Sequence, residues 1–199
     1  MVILVRFIVN PKEMPNIFFT ADHHFNHGNI IRYCNRPFRS VEEMNEVLIT
    51  RWNEKVQQED EVYHLGDIGF GSPAKLRPIL DQLHGKIYLI KGNHDKQIHQ
   101  NIDRFQWIKS FYELTVPDTS FKRGQHLVVL CHYALKVWNA SHWGTYHLYG
   151  HSHGMLPDDP KSRSFDVGVD CHNFYPLAYE EMKGIMKQKE WVRPQHLRS

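Results

Sequence analysis

The residues able to do chemistry come in short clusters. They are Asp22-His23-His24, Gly66-Asp67, Gly92-Asn93-His94-Asp95, Cys131-His132 and Gly150-His151-Ser152-His153. Their carboxylate, amide and imidazole groups suit divalent cations with mixed oxygen and nitrogen preference. Imidazole also carries protons near neutral pH. The chain has 15 histidines, so only their positions can be informative. Asp22, Asp67, Asn93, His132 and His151 each follow the end of a short apolar run that reads as a strand. In α/β sheets, ligands bind in the crevice outside the carboxyl ends of the strands. Five separate strands therefore deliver cation-binding side chains to one edge.

The elements that must position these groups alternate between short apolar runs and helical stretches, the pattern of α/β layering. Strands are expected over 17–20, 62–65, 87–90, 111–116, 126–130, 146–149 and 165–169. The best helix runs over 40–57. Ser40 and Glu43 form its capping box, and Val41, Met44, Val47, Leu48, Trp52 and Val56 share one face. A second helix opens at Ser72-Pro73. Leu76, Ile79, Leu80 and Leu83 are its apolar face, and Pro78 kinks or shortens it. A third spans 177–187. Gly150 and Gly154 bracket His151 and His153 and predict a loop.

Composition bounds the answer. A chain of 199 residues can bury a full core without staples. A net charge of +2 argues neither for nor against a polynucleotide partner. Cys34, Cys131 and Cys171 are odd in number and form no CxxC pair. That argues against a zinc ribbon or disulfide framework and fits reduced thiols in the cytoplasm. Cys131 ends an apolar run and reads as core. The opening MVILVRFIV is too short to span a bilayer and lacks the parts of a signal peptide. Residues 1–13 read as an N-terminal extension or an edge strand, ahead of a single domain over 14–199. No other segment has the length to cross a membrane.

Taken in order, D-x-H, G-D, G-N-H-D, a lone His and G-H-x-H resemble the calcineurin-like metallophosphoesterase superfamily, over residues 17–153. TADHHFNHGNIIRYCNRPF early and HLYGHSH late are similar to a branch of small stand-alone prokaryotic and phage phosphoesterases. The resemblance implies a four-layer αββα sandwich. Two mixed β-sheets would be flanked by helices, with a dinuclear metal site at one sheet edge. It implies that Asp22, His24 and His153 hold one metal, that Asn93, His132 and His151 hold the other, and that Asp67 bridges them. The cofactors would be two divalent metal ions: Mn, Fe, Zn or Ni. His94 would face the substrate.

Elementary chemistry agrees with that assignment. Cations about 3.5–4 Å apart clamp the attacking and leaving oxygens of an in-line displacement. A water shared between them loses a proton near neutral pH. The resulting bridging hydroxide would attack phosphorus, and His94 would act as general acid. There is one departure. Many members carry a carboxylate or amide three residues after the bridging Asp, which positions the catalytic His. Here Phe70 stands there. Asp95 is grouped with His94 as catalytic: it either orients the imidazole or caps the helix that follows.

Around this core, Asn26, His27 and Arg36 are candidate substrate contacts, since Arg recognises phosphate bidentately. Their plainer reading is loop hydrogen bonding. His23 reads as a turn residue. Tyr133, Trp138, Trp143 and Tyr146 read as core or lid packing, with stacking on a nucleobase as the alternative. His64, His84, His99, His126, His142, His147, His172 and His196 receive no role. Lys183, Lys187 and Lys189 read as a solvated face. The expected function is hydrolysis of a phosphate ester, with a nucleotide-type phosphodiester preferred. A nuclease would add a basic groove and steep salt dependence. A phosphomonoesterase would add Arg or Lys for a dianion. A non-catalytic metal-binding scaffold would have lost ligands or His94, and none is lost. The expected partner is a phosphoester. Nucleic acid is allowed by the charge balance but not indicated, and the sequence is silent on oligomeric state.

Overall fold

The computed structural model describes residues 15–96 and 98–193. The expectations for residues 1–13 and for His196 lie outside these. Two sheets form the centre. The first has the order β4 (Phe105–Lys109), β3 (Lys86–Ile90), β2 (Glu61–His64), β1 (Ile17–Thr20) and β9 (Leu177–Ala178). The second has the order β5 (Phe111–Pro117), β6 (Gln125–Cys131), β7 (Tyr146–Tyr149) and β8 (Ser164–Asp166). Both are mixed. β1 to β4 run parallel, and β9 is antiparallel to β1. β6, β7 and β8 run parallel, and β5 is antiparallel to β6. Parallel neighbours end on the same side, and the ends of β1, β2, β3, β6 and β7 carry the polar clusters.

Alternation along the strands builds two cores. Phe18, Val62, Ile87 and Leu89 face the helices and pack with Met44, Leu48, Trp52, Leu76 and Leu80. Phe19, Tyr63 and Ile90 face the second sheet and meet Leu114, Val128, Leu130, Leu148 and Phe165. Helix α2 (Val41–Lys55) starts where expected, with Ser40 Oγ accepting from the Glu43 N–H at 3.1 Å. Its Met44 and Leu48 are fully buried, worth about 1.5–3 kcal/mol each. Helix α3 (Pro73–Leu80) is short and contains Pro78, which has no N–H to give the carbonyl four residues earlier. The outer face of the second sheet is covered by the segment after β6. Leu135 N–H donates to His147 Nε2, and the Trp138 ring packs 5.3 Å from that imidazole.

Some features differ from the sequence reading. The short helix α1 (Gly28–Tyr33) and strand β4 were not expected. The helix expected over 177–187 begins as strand β9, pairing Leu177 with Phe19, and only Tyr179–Lys187 is helical, as α4. Lys183 is not on a solvated face. It is 6% exposed, and its ammonium bonds Asp118 at 2.8 Å and Glu180 at 2.6 Å. α4 turns this face toward the inter-sheet core, where Met182 and Met186 are buried. Lys189 is also drawn in, bonded to Asp158 and to the carbonyls of Asp159 and Ser164. Lys187 is exposed. Cys131 is only half-buried. Among the described residues, no helix is long and apolar enough to cross a membrane.

Candidate metal centre

Each proposed ligand sits on a turn just past a strand. Asp22, His24, Asp67, His151 and His153 have φ of 60°, 53°, 56°, 68° and 48°. A left-handed backbone costs a residue with a Cβ about 1–2 kcal/mol. The turns are held by one another. Asp22 N–H donates to Gly66 O, and His24 N–H to Asp67 O, both at 3.0 Å. The carboxylates continue the pattern. Asp22 Oδ2 accepts from His151 N–H, and Asp67 Oδ1 from His94 N–H, each at 2.8 Å. Glycines permit this closeness. A Cβ on Gly92 would lie 2.2 Å from Asp67 Oδ1, and one on Gly150 would lie 2.6 Å from Asp22 Oδ2.

Two sets of ligand atoms result. Asp22, His24 and His153 bring theirs within 4.8 Å of one another, and so do Asp67, His132 and His151. Asp67 Oδ2 joins the sets, 3.7 Å from His24 Nε2 and 3.5 Å from His132 Nε2. Asn93 Oδ1 lies 3.1 Å from His132 Nε2. His132 Nδ1–H donates to Leu65 O at 2.7 Å. That leaves the Nε2 lone pair facing two oxygen acceptors. His153 Nδ1 is bonded to Asp170 Oδ2 at 2.7 Å, leaving Nε2 for the cluster. Ligating histidines are commonly anchored in this way through the other ring nitrogen.

The buried polar atoms here fit cations. Asp22 Oδ1 and both ring nitrogens of His24 are buried without a hydrogen-bond partner, an arrangement that costs free energy unless compensated. Burial pushes the Asp22 carboxyl well above the ordinary range and holds the His24 imidazole far below its own. A divalent cation resolves both, since it pairs the carboxylate and takes the neutral imidazole lone pair. His153 is pulled two ways. Burial lowers it, but the Asp170 hydrogen bond, Cys34 and the Asp22 charge raise it to about 10.

Several residues have positions the sequence reading missed. Arg36 was a candidate phosphate contact, but it is 4% exposed and all five of its donors are spent. Nε and Nη2 fork onto Asp170 at 2.7 and 2.8 Å. Nη1 bonds the His23 carbonyl and Met44 Sδ, and Nη2 also bonds the Asp22 carbonyl. It braces the ligand turn and, through Asp170, His153. Asn26 is a loop bond rather than a substrate contact, exchanging hydrogen bonds with Asn45 and donating to Lys75 O. His27 does reach the site mouth, with its ring stacked 3.9 Å from Phe70. Asp95 neither orients His94 nor caps the next turn. Both its oxygens accept backbone N–H groups, from Asp67, Ile68 and Gly92 at 2.8, 3.1 and 2.8 Å. It clasps two ligand turns together. The exposed His94 ring instead packs 4.8 Å from Phe70, the residue in the position where the departure was noted. Asp170 gave only a weak signal, as the second of two acids four residues apart, the first of which, Asp166, closes β8. Tyr146 is core, whereas Tyr133 and Trp143 are exposed, Tyr133 edge-on to His132 and His151.

His23 lies in the ligand turn, but its side chain belongs to the core. It is fully buried, packed against Phe25 and Trp52, with Nδ1 2.9 Å from His64 Nε2. The Gly66 N–H donates to His64 Nδ1 at 3.1 Å. His64 therefore carries its hydrogen on Nε2 and donates it to His23. Burial drives His23 well below its usual range and His64 down to about 3. Below the unfolded value of 6.5 the unfolded chain binds a proton that the folded His64 refuses, so stability falls as pH falls. From 6.5 to about pH 5, His64 alone should cost about 1.6 kcal/mol. Urea unfolding of wild type and His64→Gln over this range should give a shallower pH slope in the variant. Equal slopes would mean that His64 takes up a proton in the fold.

Comparison with known proteins gives the family. Residues 16–164 match the calcineurin-like phosphoesterase superfamily domain. An uncharacterized protein of Methanocaldococcus jannaschii is 34% identical over 194 residues, covering 91% of this chain and 97% of the relative. The gene 66 protein of Mycobacterium phage L5 is 27% identical, covering 79% of this chain and 88% of its own. The crystal structure of an Aquifex aeolicus protein of unknown function has the same fold. Its TM-score is 0.67 at 21% identity, over 86% of this chain and all of that one. The chain belongs to the calcineurin-like phosphoesterase superfamily and is a metal-dependent hydrolase of phosphoester bonds.

Proposed function

We propose that this chain is a two-cation phosphodiesterase. Asp22, His24 and His153 hold one divalent ion, and Asn93, His132 and His151 hold the other, with Asp67 shared. The observation that carries this reading is the place of Asp67 Oδ2, within 3.7 Å of one ligand set and 3.5 Å of the other. When bound, such ions acidify water and offset phosphoryl charge. Mn, Fe, Zn and Ni all suit the mixed donors. His94, exposed beside the ligands and braced by Phe70, gives its proton to the departing alkoxide. A diester is favoured over a monoester because Arg36, a candidate phosphate contact in the sequence, is committed to Asp170 and backbone carbonyls and so is not offered to a dianion.

His94→Ala tests the proton donor. On a diester with a poor alkoxide leaving group, kcat should fall about 10²–10⁴-fold. On bis-p-nitrophenyl phosphate the loss should be far smaller, because p-nitrophenolate departs without a proton. Equal losses on both substrates would remove His94 as general acid. Turnover with Mn on diester, monoester and DNA substrates decides between diesterase, monoesterase and nuclease.

A further inference from the structure

A cavity of about 580 Å³ lies beside His94. None of the seven proposed ligands lines it; it meets the site only at Phe70, His94 and Asp95. His94 is thus the partition between the ligand cluster and the cavity. A phosphoester with phosphorus at the ligands would send one substituent past His94 into this space. The substituent beyond the proton donor is the one that leaves.

The lining says what that substituent is. Phe70, Pro73, Leu76 and Ile98 supply apolar surface. Ser72 and Asn101 supply neutral polar groups. The single carboxylate, Asp95, has both oxygens bonded to backbone N–H groups. Among the described residues, Lys96 is the only other ionisable group besides His94 on the wall. With one lysine and no free carboxylate, the wall disfavours a cationic group such as an ammonium alcohol. The volume falls in the range of about 300–1,000 Å³ that encloses drug-sized ligands, so a methyl or ethyl arm would leave it mostly empty. Phe70 and His94 offer ring surfaces at the entrance, suited to a flat ring.

We propose that this cavity receives the leaving alcohol of the substrate, a ring-bearing, non-cationic alcohol of nucleoside size; this rests on the phosphodiesterase reading above. In the reaction the phosphorus–oxygen bond to that alcohol breaks. A new phosphorus–oxygen bond forms to water, and the alkoxide takes its proton from His94. Phosphorus keeps its smaller arm as a monoester.

The direction of cleavage tests this. The methyl phosphodiester of thymidine can yield thymidine and methyl phosphate, or thymidine monophosphate and methanol. With Mn present, the wild-type chain should give thymidine and methyl phosphate. Ser72→Trp narrows the cavity at an exposed position whose side chain makes no cap bond. It should lower kcat/KM on this substrate at least tenfold while metal content per chain and circular dichroism match wild type. Release of thymidine monophosphate and methanol would overturn the cavity assignment and leave the phosphodiesterase reading standing. An unchanged kcat/KM in a folded Ser72→Trp would do the same. Absence of hydrolysis on every diester would overturn both.

Discussion

Asp67→Asn is expected to cost at least one metal ion per chain and to lower kcat/KM about ten-thousandfold, roughly 5.5 kcal/mol of transition-state stabilisation. Asn keeps the size of Asp, and its carbonyl oxygen can still accept the His94 N–H that Asp67 Oδ1 now accepts at 2.8 Å. What it loses is the charge, and it puts an NH₂ donor where Asp67 Oδ2 faces His24 and His132. A donor aimed into a cation site repels the cation. The fold should persist, because the turn around Asp67 is also held by Asp95 through its N–H. Elemental analysis of the metal-loaded variant gives the ion count, and steady-state kinetics on a diester gives the rate. Two ions per chain together with near wild-type turnover would refute the shared role of Asp67.

Arg36→Met is expected to be the most destabilising single change near the site, by about 3–5 kcal/mol. Removing the guanidinium strands the Asp170 carboxylate, which is largely buried and would keep only His153. It also strips the Asp22 and His23 carbonyls of their donor. Met approximates the volume, so lost charge pairing, not a cavity, sets the cost. The effect should reach the metals, because Asp170 anchors His153. Loss of such outer partners typically weakens metal binding 10–100-fold. Urea denaturation measures the first effect and Mn titration by calorimetry the second. The double variant Arg36→Met, Asp170→Asn should recover part of the stability, since it removes the stranded charge. A single variant within about 1 kcal/mol of wild type would show that the ion pair is not what holds the turn.

The part of the site legible in the sequence was the part written locally. A Gly-Asp or Gly-His pair closing a short apolar run states both the strand and the turn that carries the ligand. Hence the seven proposed ligand positions, whose side chains the fold gathers, could be marked out in advance. The capping box at Ser40 and Glu43 is equally local, and α2 begins there. The parts not legible depend on distant partners. Arg36 and Asp170 are 134 residues apart, and nothing near either one announces the other. His23 and His64 looked like incidental histidines because their bond crosses between β1 and β2. Asp95 followed the proposed acid directly in sequence and so seemed catalytic, yet its oxygens turn back onto the β2 turn. Lys183 read as solvated because a lysine on a short helix usually is, and its burial depends on Asp118, 65 residues away, as well as on nearby Glu180. β9 has two residues, too few for any period to show.

The linear spacing of the ligands has a consequence for assembly. Asp22 and His153 meet across 131 positions of chain, and Asp67 meets His132 across 65. Few close neighbours in sequence can chelate an ion alone, so an unfolded chain has little to offer one. On the proposed ligand sets, uptake would follow docking of the two sheets and would not nucleate it. Ribosomes would have to release His153 before the first ligand set exists at all. Once formed, the centre is selective for the native state, and a bound ion then resists unfolding in proportion to the logarithm of its concentration.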